Sequence, residues 1–227
     1  MRTKTLLLTA ALSAAGIATS MAQTVYSVNA VGYVNVVLPA GFSIVANPLV
    51  ATPNNNVTNI FQAPLDGMTV YKFTGTGYQT TAYDELFAEW SDKTVILDPG
   101  MGAFVKVPTG KKYTNTFVGS VDAGPAGSGS NGGTKLTNSI PSGFSLKSSR
   151  IPQAGKLTTD LKYTPGDGDA VYQFDSSTQK YKATASFDGL FNEWAPAEPN
   201  VAVAEGFWIK IPAGQTRQWV RDFTIQN

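Results

Sequence analysis

Asp84-Glu85-Leu86-Phe87-Ala88-Glu89-Trp90 leads, after a short gap, to Gly102-Ala103-Phe104-Val105-Lys106-Val107-Pro108. The chain writes this combination again as Asp188-Gly189-Leu190-Phe191-Asn192-Glu193-Trp194, then Gly206-Phe207-Trp208-Ile209-Lys210-Ile211-Pro212. Trp90 and Trp194, Lys106 and Lys210, and Pro108 and Pro212 each stand 104 residues apart. A constant offset across unlike residue types marks an internal repeat, so the chain reads as two copies of one module.

Outward from this block the echo continues. Leu38-Pro39-Ala40-Gly41-Phe42-Ser43-Ile44 matches Ile140-Pro141-Ser142-Gly143-Phe144-Ser145-Leu146 at an offset of 102. Asp66-Gly67 before Val70-Tyr71-Lys72-Phe73 matches Asp167-Gly168 before Val171-Tyr172-Gln173-Phe174, at an offset of 101. An Asp-Gly turn ahead of alternating apolar residues is a strand signal. The partner strands are expected at Tyr78–Ala82 and Tyr181–Ala185, offset by 103, which makes the second hairpin two residues longer. Insertions falling in loops are what a repeat of one fold tolerates.

No stretch after residue 22 sustains a helical period, and short Val- and Tyr-rich runs are punctuated by Gly, Pro, Asn and Asp. That pattern predicts an all-β fold of two tandem antiparallel β-sandwich or small-barrel modules. Residues 23–121 form module 1 and 135–227 module 2, with a Gly- and Ser-rich linker at 122–134. Thr58 or Thr159 is a candidate cap for one brief helical turn.

Met1-Arg2-Thr3-Lys4, an apolar run from Leu6 to Ala18, and Ser20-Met21-Ala22 carry the three parts of a secretory leader, with cleavage expected after Ala22. Removing Arg2 and Lys4 leaves fifteen basic against sixteen acidic residues. No basic patch fit for nucleic acid remains, and no further apolar run is long enough to span a bilayer. The expected localisation is extracytoplasmic: periplasm, cell surface or medium.

Zero cysteines leave stability to buried surface rather than disulfides. Zero histidines remove Ser-His-Asp and Cys-His catalysis, histidine general bases and most transition-metal sites. No cofactor is expected.

Val28-Asn29-Ala30-Val31-Gly32-Tyr33-Val34-Asn35, Gly41-Phe42-Ser43-Ile44-Val45-Ala46-Asn47-Pro48-Leu49, and Leu97-Asp98-Pro99-Gly100-Met101-Gly102-Ala103-Phe104-Val105 resemble a recurring β-rich module of exported bacterial proteins, often appended to surface or extracellular chains. The likeness covers the first half well and the second in part, because Lys147-Ser148-Ser149-Arg150 replaces the Ala-Asn-Pro run. The resemblance implies an extracytoplasmic β module and supplies no catalytic residue.

Asp84 with Glu89, and Asp188 with Glu193, are the carboxylates both copies keep, and two carboxylates at suitable spacing serve glycoside hydrolysis. The structural account is stronger: Asp84 caps a turn while Leu86, Phe87 and Trp90 face inward. Lys106 and Lys210 are expected to lie along Phe104 and Trp208 and to reach Glu89 and Glu193. Asp167-Gly168-Asp169 offers too few oxygens for calcium, and no metal site is expected. Asn56-Val57-Thr58 is a glycosylation sequon only in a eukaryotic secretory route.

Trp90 and Trp194 are expected in the core, with Trp208 and Trp219 exposed as counterparts of Phe104 and Phe117. The candidate ligand-binding residues are therefore Trp208, Lys210, Trp219 and Tyr181. The expected function is a non-enzymatic structural, adhesive or assembly role, with carbohydrate binding through module 2 as the alternative. A carboxylate-dependent hydrolase ranks third. The partners in view are a surface glycan, another exported protein or a second copy. The run Val25–Val37 is an edge strand open to assembly, or simply the first strand of module 1.

Overall fold

The computed structural model describes residues 31–122 and 134–223. The expected leader at 1–22, the run at 23–30, residues 123–133 of the expected linker and the last four residues lie outside the described part.

The described chain is antiparallel β throughout, apart from one helical turn, α1 (Val57–Ile60). The first half holds β1 (Val31–Leu38), β2 (Gly41–Ala46), β3 (Thr69–Phe73), β4 (Tyr78–Asp84), β5 (Glu89–Trp90), β6 (Gly102–Val107) and β7 (Tyr113–Ser120). The second holds β8 (Thr134–Ile140), β9 (Gly143–Lys147), β10 (Gly155–Lys156), β11 (Ala170–Tyr172), β12 (Phe174–Asp175), β13 (Lys180–Tyr181), β14 (Ala185–Asp188), β15 (Glu193–Ala195), β16 (Asn200–Val201), β17 (Phe207–Ile211) and β18 (Arg217–Phe223).

Strand order β2-β6-β3-β4-β5 in one five-stranded sheet matches β9-β17-β11-β14-β15 in the other. A two-stranded ribbon accompanies each sheet, β1 with β7 and β8 with β18. Among the described residues Val31–Leu38 is thus the first strand, paired with β7 along its whole length. The longer second hairpin is present: Phe174 pairs with Tyr181 where Phe73 pairs with Tyr78. Thr134 already belongs to β8, although its composition reads as linker.

Period-two alternation sends Val70, Val105 and Val107 inward in the first half, and Val171, Ile209 and Ile211 in the second. The first core gathers these residues with Val57, Ile60, Phe61, Trp90, Leu97 and Phe117. The second gathers Leu157, Leu161, Tyr163, Trp194, Phe207 and Trp219. Each core is separate, except that Ala204 and the partly buried Val203 of the second half pack against the first. Asn56 holds the cap position before α1, so Thr58 lies inside the turn rather than capping it.

The halves meet along β2 and β9 in a nearly twofold arrangement. Ala46 N–H donates to Ala204 O at 2.9 Å, and Ser148 N–H donates to Gly100 O at 3.1 Å. Ala46 and Ser148 are repeat equivalents, as are Gly100 and Ala204, so the two bonds are one contact made twice. Val45 bridges Glu205 and Met101 bridges Lys147 with the same reciprocity. Gly102 and Gly206 come together on this axis, where a Cβ on Gly206 would stand 2.7 Å from Ile44 Cγ2. Only glycine permits that approach.

The longer β12–β13 hairpin adds a second clasp. Phe42 N–H donates to Gln179 Oε1 at 2.7 Å, and Gln179 Nε2 donates to Phe42 O at 2.9 Å. One side-chain amide thereby satisfies both backbone groups at the start of β2, a strand edge otherwise open to pairing.

Candidate functional site

On the face of each sheet turned away from its core, the residues beside the inward valines are aromatic. Phe42 (β2), Tyr71 and Phe73 (β3), Tyr78 (β4) and Phe104 (β6) form one set. Their equivalents are Phe144 (β9), Tyr172 (β11), Phe174 (β12), Tyr181 (β13) and Trp208 (β17). Ladder register brings them side by side: Ile44 faces Phe104 and Phe104 faces Tyr71, while Leu146 faces Trp208 and Trp208 faces Tyr172.

The two sets fuse into one surface. Phe73 meets Trp208 edge to face at 4.8 Å, and Phe104 meets Phe174 at 6.0 Å. Two shallow cradles result, each completed by a ring from the other half. One of about 410 Å³ is lined by Phe42, Tyr71, Tyr78, Phe104 and Phe174. The other, about 350 Å³, is lined by Phe144, Tyr172, Tyr181, Trp208 and Phe73. Most neighbouring rings meet tilted or edge to face, the arrangement that ring quadrupoles favour.

A cation stands at the rim of each cradle. Lys106 Nζ lies 5.7 Å from the Phe42 ring centre and Lys210 Nζ 5.5 Å from that of Phe144. These cross-strand rings replace the same-strand Phe104 and Trp208 expected from sequence. The expected pairing of Lys210 with Glu193 is absent, because β11 and β14 separate their strands by three ladder steps, roughly 14 Å. Glu89 pairs instead with Lys93 at 2.6 Å.

Of the four sequence candidates, Trp208, Lys210 and Tyr181 come together. Trp208 Nε1 donates to Tyr181 Oη at 3.2 Å, and Tyr181 is half exposed. Tyr78, the counterpart of Tyr181, is likewise half exposed; burial, then the neighbouring Tyr181, raises its phenol pKa.

Trp219 does not belong to the surface. It is 2 % exposed in the second core, and its Nε1 donates to Leu161 O at 2.8 Å. The ladder explains this: Trp219 pairs with Asn138, as Asn115 pairs with Val36, so its counterpart is Asn115 and not Phe117. Asn115 performs the same service, donating from Nδ2 to Ile60 O at 3.1 Å.

The Asp84 block forms a tight turn. Asp84 Oδ1 accepts from Leu86 N–H at 2.9 Å and Phe87 N–H at 3.3 Å, and Asp188 Oδ1 does the same for Leu190 and Phe191. Trp90 and Trp194 are buried, as expected. Leu86 and Phe87, however, point outward, 85 % and 70 % exposed, and Leu190 and Phe191 repeat those values. The turn runs through Ala88 at φ 52° and Asn192 at φ 54°, which ends any helical period and turns the Leu-Phe pair to solvent. The carboxylates Asp84 and Asp188 are spent on backbone amides, which supports their structural reading.

Asp169, the second acid of the Asp-Gly-Asp run, is fully buried. Its carboxylate accepts from Arg217 Nε and Nη2, each at 2.9 Å, from Tyr163 Oη at 2.6 Å and from Gly166 N–H at 2.8 Å. Burial, reinforced by this carboxylate, raises the Tyr163 phenol pKa. Among the described residues no group of three or more Asp or Glu side chains is arranged to hold a metal ion.

Comparison with protein-family models, with curated proteins and with solved structures finds no match.

The aromatic character of individual strands was visible in the sequence. What sequence reasoning missed was that Phe42, Phe73, Phe144 and Phe174 share one surface with Trp208 and Tyr181. The available signal was the coincidence of aromatic positions in the two repeats.

Proposed function

We propose that this is an exported, non-enzymatic assembly or adhesion protein that works through its aromatic face. The observation that supports this most directly is the fused pair of cradles, built from ten equivalent aromatic positions and rimmed by Lys106 and Lys210. A contiguous apolar patch with a charged rim is the anatomy of a protein-contact surface. The mostly edge-to-face packing argues against a flat stacking platform for sugar rings. Carbohydrate binding keeps one specific support, the partly open Trp208 bonded to the half-exposed Tyr181 beside Lys210.

The test is retention of the purified protein on immobilised envelope material from cells that produce it. Phe42→Ser with Phe144→Ser should lower retention by about tenfold or more while the melting temperature stays within a few degrees. Equal retention by the variant overturns the reading. Trp208→Ala losing a hit on a glycan array, with the Phe variant still retained on envelope material, would favour the sugar reading instead.

A further inference from the structure

Each half carries an exposed Leu-Phe pair on a tight, well-bonded turn, and each half carries an aromatic cradle. Beyond the turn-forming bond from Asp84 or Asp188, each tip is tied down by a second carboxylate. Glu85 N–H donates to Asp66 Oδ1 at 3.1 Å, and Gly189 N–H donates to Asp167 Oδ1 at 2.9 Å. Large apolar side chains this exposed gain nothing for their own fold, yet they recur at equivalent places with equal exposure.

Charge distinguishes tip from cradle. The tips bear Glu85 in the first half and Glu193 in the second, both exposed and in no ion pair with another described residue. The cradles bear Lys106 and Lys210, exposed and likewise outside those ion pairs. An acidic apolar knob and a basic apolar cup are complementary in both respects. β5 and β15, which each tip leads into, lie at the far edges of the two sheets, away from the seam between the halves. A tip therefore reaches a cradle most directly on another molecule.

We infer that the partner on the aromatic face is a second copy of this chain, with the Leu86-Phe87 or Leu190-Phe191 tip seated in a cradle and its glutamate toward Lys106 or Lys210. The inference rests on the proposed role of the aromatic face and names its occupant. Knob and cup are different surfaces, so the contact is head-to-tail and propagates instead of closing on itself. A single tip covers much less than the roughly 1,200 Å² of a stable interface, so each contact is weak. Two tips and two cradles per chain give the assembly its strength through multivalency.

Sedimentation of the chain over a concentration series tests this. Wild-type weight-average mass should rise with concentration. A tipless variant (L86S, F87S, L190S, F191S) and a charge-reversed cradle variant (K106E, K210E) should each associate at least about tenfold more weakly. All of these positions are exposed, and unchanged melting temperatures confirm that both variants fold. Mixed together, they should recover association, because one keeps cradles and the other keeps tips.

A wild-type chain that stays monomeric, a tipless variant that associates normally, or a mixture that fails to recover each overturns the inference. So does tip-dependent co-sedimentation of a monomeric wild type with phosphatidylglycerol vesicles, which would assign the tips to lipid. Tip-independent association that still needs Phe42 and Phe144 leaves the aromatic face as a contact surface and rejects only this occupant.

Discussion

The buried carboxylate of Asp169 shows how one residue commits its neighbours. The equivalent position in the first half is Met68, fully buried, and Arg217 stands where the first half has Tyr113. The same place in the fold is thus filled by an apolar side chain once and by an ion pair once. Removing one member of such a pair strands a charge without water, which costs about 3–5 kcal/mol. Arg217→Met should lower unfolding stability in urea by that order. Asp169→Met with Arg217→Tyr, which copies the first half, should recover much of the loss. A single substitution as mild as a surface change would show that Asp169 is not held by Arg217. Residue identity announced the buried Trp90 and Trp194, whose apolar neighbours recur in both copies. It misdirected Trp219, because an offset of 102 aligns it with the aromatic Phe117, whereas the offset of 104 that holds on this strand aligns it with Asn115. Only ladder pairing separates the two.

At the scale of the element, the β12–β13 hairpin carries the largest departure from strict repetition. Its two additional residues let Gln179 reach β2, and Asp175 organises the loop that holds Gln179. Asp175 Oδ1 accepts from the Ser177 hydroxyl at 2.6 Å and the Ser177 N–H at 2.9 Å. These bonds, the hydroxyl first, hold its carboxyl at about 2, below an ordinary 3.8. A carboxyl depressed in the folded state stabilises above its unfolded pKa, and that contribution is lost as pH falls toward the folded value. Melting temperature measured from pH 5 to pH 2 should therefore fall more steeply in wild type than in Asp175→Asn. Parallel curves would remove Asp175 as a source of acid sensitivity. Strand positions were readable from alternation and turn residues. The outward Leu-Phe pair was not, since a helical reading of Asp84–Trp90 places Leu86 and Phe87 inside, and the Ala88 and Asn192 backbone angles send them out.

At the scale of the molecule, the seam along β2 and β9 decides whether there is one aromatic face or two half-faces. Gly206→Val inserts a side chain where even a Cβ lies 2.7 Å from Ile44 Cγ2 and 3.3 Å from Gly102 Cα. Overpacking of this kind costs about 1–3 kcal/mol. Hydrogen exchange at the Ala46 and Ser148 amides should quicken by roughly tenfold to a hundredfold, with Val105 in the first sheet little changed. Uniform acceleration at all three would mean that seam and cores open as one unit. The sequence declares two copies but nothing of their docking. The reciprocal bonds at the seam are backbone bonds between Ala46, Gly100, Ser148 and Ala204, residues whose side chains carry no pairing signal.

The distribution of the four tryptophans between core and surface makes the chain its own optical reporter. Trp90, Trp194 and Trp219 are buried, and Trp208 alone stands partly open, inside a cradle. A collisional quencher added to water meets that indole ahead of the others. The quenchable fraction of intrinsic fluorescence is therefore a reading of the aromatic face, obtained without a label and set against three internal references.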